Sequence, residues 1–192
     1  KRLGKLHLRS PGRHSATNAM AAVAVAGELE IPFAQVAEAL GAFTGIHRRF
    51  EIKGEPNGVL IIDDYGHHPA EIRATIGAIR DSWKRPLTVI FQPHRYTRTR
   101  DLFEEFLTAF EGADRLLLTE IYPAGEDPIA GATGEALYQA IKRQGHLEVE
   151  FVADKNQLVE RATAKLSPGD VALTLGAGDI YKIGDQLVEA LR

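Results

Sequence analysis

Short apolar runs rich in β-branched and aromatic residues recur along the chain from residue 59 onward. Each run is four to six residues long and is followed by a loop of polar, Gly and Pro residues. Runs of this length between turn residues are typical of strands that are buried on both faces. The pattern predicts five such strands: Val59–Asp63, Leu87–Gln92, Arg115–Glu120, Val149–Val152 and Val171–Leu175.

A segment with helical periodicity follows each of these runs. The predicted helices are Ala70–Trp83, Thr99–Glu111, Thr133–Gln144, Lys155–Leu166 and Ile180–Leu191. Strict alternation of strand and helix implies right-handed βαβ crossovers and a parallel sheet with helices on both faces. We therefore expect an α/β protein with a doubly wound, mostly parallel sheet.

Local turn and stop signals support these boundaries. Gly112 and Gly145 lie where helices are expected to end, and Asp154 is expected to cap the helix that follows it. Phe50–Lys53 and Val59–Asp63 flank a turn-rich tetrapeptide. This arrangement predicts a hairpin that adds one antiparallel strand at the edge of the sheet.

The first 45 residues have a different pattern. They contain a candidate strand and two candidate helices, Leu6–Arg9, Thr17–Leu29 and Phe33–Phe43. Three elements bury too little surface for an independent core. We therefore expect residues 1–45 to be the end of a preceding domain, and the start of the chain at Lys1 rather than Met to mark a piece of a longer protein.

Composition restricts the class of protein. Of 192 residues, 44% are hydrophobic, which suits a globular domain, and the 23 Lys and Arg residues form no dense run, which gives no sign of nucleic-acid binding. The absence of Cys excludes disulfides and thiolate chemistry. No apolar run approaches the ~20 residues of a membrane span, and there is no signal pattern, so a cytoplasmic location is expected.

Polar side chains concentrate directly after the first parallel strand. The segment Asp63–Pro69 holds two carboxylates, a phenol and two imidazoles. Ligands of open parallel sheets bind beyond the carboxyl ends of the strands, so this cluster predicts a polar ligand or phosphate there. A solvated loop with capping side chains and a metal site remain open for the same residues.

Three arginines follow the second parallel strand: Arg95, Arg98 and Arg100. Their charge opposes the dipole at the amino end of the helix predicted there, which favours anions. Arginine binds carboxylate and phosphate with paired donors, so the loop predicts an anionic ligand. The loop Ile121–Pro128 after the third strand is open between a lid and an acidic surface loop. Gly176–Asp179 could offer backbone amides to an anion, but it is a weak signal for a dinucleotide cofactor.

The amino-terminal piece carries a further pair of candidate ligands. His14 and Asn18 are four residues apart, so both side chains can face one ligand from the start of a helix. Arg48 and Arg49 form a pair of cations in the linker region, where a solvated surface pair is the simpler interpretation. No Walker sequence, Ser-His-Asp order or zinc-helix motif is present. The residues alone predict a domain that binds anionic ligands.

The same motifs resemble those of the Mur ligase family over nearly the whole chain. The matching runs are Gly12–Ala22, Gly45–Glu51, Asp63–Glu71, Phe91–Phe103, Tyr122–Pro128 and Gly176–Ile180. Among them, Asp63–Pro69 and Phe91–Arg100 are similar to the alanine-adding branch of the family, and a sister ligase that attaches murein tripeptide is the near alternative. One departure is Ser15, which stands where the family usually has Asn.

The resemblance implies a place for this chain in a three-domain enzyme. Residues 1–45 would end the central ATP-binding domain, and residues 46–192 would form the whole Rossmann-like carboxy-terminal domain that closes over ATP. The phosphate loop and the ligands of Mg²⁺ would lie upstream, so the chain alone is not expected to catalyse. The partners implied are ATP with Mg²⁺, UDP-N-acetylmuramic acid, L-alanine and the two missing domains, with no nucleic acid and no membrane.

The resemblance also assigns roles to individual residues. It implies that ATP is bound by Asn18, Arg49, Asp64 and His14, and that the amino-acid substrate is bound by Tyr65, His67, Arg95 and Arg98. It implies no metal ligand and no secure catalytic residue in this chain. A non-catalytic module that binds a nucleotide or amino acid is an alternative from another class. A generic Rossmann-like oxidoreductase is disfavoured because no glycine fingerprint follows the first parallel strand.

Overall fold

Six strands form one sheet in the computed structural model, which describes residues 2–9, 11–145 and 148–192. The spatial order is β1-β2-β6-β3-β4-β5, and all neighbouring pairs are parallel except β1 and β2. The strands are β1 Glu51–Gly54, β2 Leu60–Asp64, β3 Leu87–Phe91, β4 Arg115–Leu118, β5 Glu148–Phe151 and β6 Val171–Leu175. The doubly wound, mostly parallel sheet and the antiparallel edge hairpin are both confirmed.

Along the chain, helices precede the first strand, connect most of the later strands and follow the last one. They are α1 Arg13–Glu28, α2 Phe33–Ala42, α3 Pro69–Ser82, α4 Tyr96–Asp101, α5 Phe103–Leu107, α6 Gly134–Gln144, α7 Leu158–Thr163 and α8 Tyr181–Ala190. Short 3₁₀ turns span Pro56–Gly58 and Lys155–Gln157. The two helices predicted as Thr99–Glu111 and Lys155–Leu166 are therefore shorter or interrupted. The first breaks at Leu102, whose φ of −111° and ψ of 19° are not helical.

Both faces of the sheet are covered, because successive side chains of a strand point to opposite faces. Ile62 of β2 belongs to the core under α3, α5 and α6, whereas Ile61 belongs to the core under α7 and α8. All five residues of β2, β3 and β6 are buried. Because both faces of these strands are buried, their sequences are mostly apolar instead of alternating between apolar and polar residues.

The amino-terminal segment forms a smaller unit against the sheet domain. Helices α1 and α2 pack through Val23, Ala26 and Val36, with Leu6 partly buried beside them. The strand predicted over Leu6–Arg9 is wrong, because these residues pair with no strand among the described residues and are irregular. A segment of alternating apolar and polar residues cannot form a ladder without a partner for its backbone.

Helix ends follow the predicted signals in part. Gly145 ends α6 in the left-handed conformation, and the Asp154 side chain accepts a hydrogen bond from the Asn156 amide at 3.0 Å, so both predictions are confirmed. Gly112 does not end a helix, because α5 stops at Leu107 and Gly112 lies in a later turn with φ of 96°. The first turn of α3 is set by Pro69, whose missing amide hydrogen costs nothing at that position.

Candidate functional site

A cavity of about 700 Å³ lies between helix α1, the linker that follows α2, and helix α3. Its walls are largely apolar and include a few polar side chains, among them Asn18 of α1, Arg49 of the linker, Asp64 at the end of β2 and Glu71 of α3. Small-molecule sites commonly have this size and this mixture of apolar walls with few polar groups. The cavity is therefore a candidate binding site for a small ligand with both flat apolar and polar parts.

Asp64 lines this cavity and connects two of the segments around it. Its side chain is almost fully buried, and its two oxygens accept hydrogen bonds from the amides of Phe50 at 2.8 Å and Gly66 at 2.7 Å. Burial raises the pKa of Asp64, while the two backbone hydrogen bonds oppose that rise. The carboxylate thereby ties the linker to the loop after β2, at the point where the two halves of the cavity meet.

The two adjacent arginines of the linker have different environments. Arg48 is nearly buried: its Nη2 donates to the Gly176 carbonyl at 2.6 Å, and its guanidinium lies 5.0 Å from the ring centre of Tyr65 and 4.5 Å from that of Tyr181. Arg49 is half-exposed, its guanidinium lies 5.1 Å from the ring centre of Tyr65, and its Nη1 faces Glu71 across 4.0 Å. Arg48 is therefore a structural cation, whereas Arg49 is available to a ligand.

The loop after β2 is fixed by a capping arrangement at the start of α3. Glu71 accepts from the amides of His67 at 3.0 Å and His68 at 3.1 Å, and the ring of His68 accepts from the Ala70 amide. Burial raises the pKa of Glu71, but the hydrogen bonds from His67 and His68 outweigh it, so the net shift is downward. Glu71 stays ionised and holds the backbone that carries Tyr65 and His67.

A second group of polar side chains lies at the carboxyl ends of β2, β3 and β4. The ring of His67 is 5.4 Å from that of Tyr65 and 5.7 Å from that of His94, and His94 stacks on Tyr122 at 5.5 Å with an interplanar angle of 7°. Arg98 donates through Nη1 to the His94 carbonyl at 2.9 Å and contacts its Nδ1 at 3.2 Å. We call Tyr65, His67, His94, Arg95, Arg98 and Tyr122 the strand-end cluster.

Arg95 is the most accessible cation of the strand-end cluster, with 47% of its side chain exposed. Its backbone is left-handed, with φ of 75°, and its amide donates to the Tyr122 carbonyl at 2.9 Å. Its Nη1 lies 3.4 Å from Glu126 Oε1. Because a guanidinium has five donors, most of them remain for an anionic ligand.

The structure separates the predicted site residues into two connected groups. Asn18, Arg49 and Asp64 line the cavity, whereas Tyr65, His67, Arg95 and Arg98 belong to the strand-end cluster. Tyr65 joins the groups because its ring contacts both Arg49 and His67. The side chain of His14 lies outside the described part of the structure.

Four contributors to the site were not singled out from the sequence as ligand-binding residues: Arg48, His94, Tyr122 and Glu126. Arg48, Tyr122 and Glu126 contact site residues that are distant in sequence, so local spacing contains no signal for them. His94 and Tyr122 lie within the polar loops that the sequence analysis did identify. The glycines of 176–178 are packing residues here, since a Cβ at Gly178 would lie 2.8 Å from the Tyr122 ring.

Neither a cluster of metal ligands nor a membrane-spanning helix is present among residues 2–9, 11–145 and 148–192. Among those residues, no group of three or more His, Asp and Glu side chains is arranged to hold a metal ion. No helix among them is both long and apolar enough to cross a membrane.

A family model and individual relatives both match this chain. The family model described as Mur ligase, glutamate ligase domain, matches residues 48–178. A UDP-N-acetylmuramate–L-alanine ligase of Geotalea daltonii is 53% identical over 192 residues, all of this chain and 42% of that protein. This chain thus spans about two fifths of the length of the curated relatives it matches.

Two solved structures extend the comparison. A crystal structure of the UDP-N-acetylmuramate-alanine ligase of Thermotoga maritima superposes with a TM-score of 0.83 at 33% identity, over 99% of this chain and 40% of that one. A murein peptide ligase of Psychrobacter arcticus superposes with a TM-score of 0.65 at 23% identity, over 97% of this chain and 38% of that one. The second likeness shows the shared fold alone.

Proposed function

This chain belongs to the Mur ligase family, and from that premise we propose that it is the carboxy-terminal part of a cytoplasmic, ATP-dependent ligase that joins L-alanine to UDP-N-acetylmuramic acid. Residues 1–45 would be the end of the central ATP-binding domain and residues 46–192 the closing domain. The proposal is supported by the relatives of that name, which match over the full length of this chain.

The cavity is the proposed nucleotide site. Its volume and mostly apolar walls fit a purine base, and Asn18, whose amide both donates and accepts, suits the polar edge of adenine. Arg49 would face the phosphates. Asp64 would reach the ribose with the lone pairs that its two amide donors leave free. His14 is proposed beside Asn18, and the Mg²⁺ ligands are expected upstream of this chain.

The strand-end cluster is the proposed amino-acid site. Arg95 and Arg98 would bind the substrate carboxylate, because a guanidinium matches a carboxylate with two parallel hydrogen bonds. Tyr65 and His67 would line the same site and connect it to the nucleotide cavity. The amine would then face the activated carboxyl group of the sugar across the closing interface.

The proposed reaction proceeds through an acyl phosphate. The lactyl carboxylate of the sugar nucleotide attacks the γ-phosphoryl group of ATP and ADP leaves, and the alanine amine then attacks the acyl carbon and expels phosphate. Phosphoryl transfer requires alignment and positive charge more than covalent catalysis. In this scheme the chain aligns the amine and excludes water from the acyl phosphate.

Two arginines at the strand ends carry the proposal. Arg95 is half-exposed, and Arg98 is held by its hydrogen bond to the His94 carbonyl. In the full-length ligase, Arg95→Ala should lower kcat/KM for L-alanine about 30- to 200-fold, because a charge-assisted hydrogen bond contributes about 2–3 kcal/mol. Phosphate release with UDP-N-acetylmuramic acid measures this effect.

The matched control is Arg100→Ala, because Arg100 lies in the helix that Arg95 precedes, is exposed and is paired with Asp101. It should leave the kinetics of alanine unchanged. Equal kinetics in both variants would reject the assignment of Arg95. Phosphate release with murein tripeptide and none with L-alanine would identify the sister ligase, and no turnover with either would favour a binding module.

A further inference from the structure

The loop after β4 runs alongside the loop after β3 and is bonded to it through the backbone. The Tyr122 amide donates to the Pro93 carbonyl at 2.8 Å, and the Arg95 amide donates back to the Tyr122 carbonyl at 2.9 Å. The stacked rings of His94 and Tyr122 close the same contact on the side-chain level. The loop after β4 is therefore part of the wall that carries the arginines.

Glu126 of this loop accepts the unpaired donors at the start of α4. Its Oε2 accepts from the Thr97 amide at 3.0 Å, and its Oε1 accepts from the Thr97 hydroxyl at 2.6 Å. Arg95, the residue before α4, provides no side-chain cap of its own. The cap is thus supplied from 29 residues further along the chain, and it fixes the turn from which both arginines project.

The same carboxylate also contacts the Arg95 guanidinium at 3.4 Å. Arg95 has a left-handed backbone, which a non-glycine residue adopts only when its surroundings hold it. Hydrogen bonds from the hydroxyl and the amide of Thr97 lower the pKa of Glu126, so the carboxylate is ionised at neutral pH. Glu126 therefore holds the turn at Thr97, two residues after Arg95, and also contacts the Arg95 side chain.

We propose that Glu126 is a positioning residue for the amino-acid substrate: by binding Thr97 and Arg95 together, it orients the Arg95 guanidinium toward the substrate carboxylate. The inference rests on the proposed function, because it assumes that Arg95 binds that carboxylate. In the opposite role, Glu126 would compete with the substrate carboxylate for the Arg95 guanidinium. The two Thr97 donors disfavour it, since they hold the carboxylate in place whether or not Arg95 turns to a ligand.

The test is steady-state kinetics of the full-length ligase with Glu126→Ala and Glu126→Gln. Loss of positioning should raise KM for L-alanine about tenfold in Glu126→Ala and less in Glu126→Gln, which keeps an acceptor for Thr97. The kcat and the KM values for ATP and UDP-N-acetylmuramic acid should change less than about twofold. A general structural defect would instead move all of these values together with the melting temperature, and would overturn the proposal.

Asp127→Ala is the matched control, because Asp127 is the adjacent carboxylate and is exposed. It should behave as the unsubstituted enzyme. A lower KM for L-alanine in Glu126→Gln would show competition and overturn the proposal, as would equal KM values in the Glu126 and Asp127 variants.

A double substitution makes the test specific to Arg95. In an Arg95→Ala background, Glu126→Ala should add little further loss, because Glu126 acts on substrate binding through the Arg95 guanidinium. Additive losses would overturn the proposal. Alanine-dependent phosphate release by the unsubstituted enzyme distinguishes the two proposals. If it is absent, both the proposed function and the role of Glu126 are rejected. If it is normal but the losses in the double variant are additive, only the role of Glu126 is rejected.

Discussion

At the scale of single residues, the His94 imidazole remains neutral although it lies beside two arginines. Arg98 can only donate, so the contact between its Nη1 and His94 Nδ1 makes that nitrogen an acceptor and leaves the ring proton on Nε2. Burial and the nearby charges of Arg98, His67 and Arg95 lower the pKa of His94 to about 4. At neutral pH the ring is therefore a neutral stacking partner for Tyr122.

This neutrality makes stability depend on pH. The ordinary histidine pKa of 6.5 applies to the unfolded chain, so between pH 6.5 and about 4 the unfolded state binds more protons than the folded state. The free energy of unfolding should therefore decrease as the pH falls through this window. Solvent screening reduces the contribution of His94 to about 1 kcal/mol.

Urea unfolding at pH 7 and pH 5 measures this contribution. His94→Gln should flatten the dependence by about 1 kcal/mol relative to the unsubstituted chain. His7→Gln, at an exposed position in the amino-terminal segment, should leave the dependence unchanged. An unaltered slope in His94→Gln would contradict the assignment of a neutral, protected ring.

At the scale of elements, the start of α6 is bound closely to the end of β4. Glu120 Oε1 accepts from the Gly134 amide at 2.7 Å, and the Thr133 hydroxyl caps the helix by accepting from the Ala136 amide at 3.0 Å. A Cβ at Gly134 would lie 2.5 Å from the Thr119 carbonyl oxygen and 3.0 Å from the Glu120 Cα. Helix and strand approach so closely only because residue 134 has no side chain.

Substitution of two helical glycines by alanine is therefore expected to change the free energy of unfolding in opposite directions. Gly134→Ala should lower the free energy of unfolding by about 1–3 kcal/mol, because backbone atoms must move to admit the methyl group. Gly77→Ala, in the middle of α3, should raise it by about 0.5–1 kcal/mol, since no atom beyond the adjacent residues and backbone of its own helix lies within 4 Å of the new Cβ, and alanine favours a helix. Chemical denaturation distinguishes the two, and an equal effect at both sites would refute the close approach.

At the scale of the whole molecule, the chain consists of two unequal parts. The sheet domain has a continuous core on each face of the sheet, whereas α1 and α2 share only a small cluster around Val23 and Val36. Met20, Val25 and Leu29 of the amino-terminal segment are more than 60% exposed. The proposed preceding domain would cover apolar residues of this kind.

This difference predicts unequal protection from hydrogen exchange in the 192-residue chain. Helices α2 and α8 each have ten residues, but α2 buries only Val36, whereas α8 buries Ile183, Gly184 and Leu187. Amides of α2 should exchange at least about tenfold faster than those of α8, because less buried apolar surface opposes local opening. Mass spectrometry of peptides from the two helices measures this, and equal protection would contradict the division.

Local pattern alone determined much of this protein. The alternation of apolar runs and helical segments predicted the parallel sheet, because side-chain periodicity reflects which faces of an element are buried. The rule that ligands bind beyond the carboxyl ends of parallel strands identified both polar loops before any geometry was known. The pattern failed at Leu6–Arg9, where alternating apolar and polar residues have no partner strand among the residues that the structure describes, and at Leu102, where the predicted helix breaks.

Only the tertiary structure decided how these parts meet. It placed β6 between β2 and β3, made Arg48 structural through a carbonyl 128 residues away, and left Arg49 facing the cavity. It also placed Glu126, from the loop after β4, at the start of α4, where its carboxylate accepts from the Thr97 amide. These choices depend on contacts between distant residues, and the free energy of such contacts is set by burial and geometry that no local pattern contains.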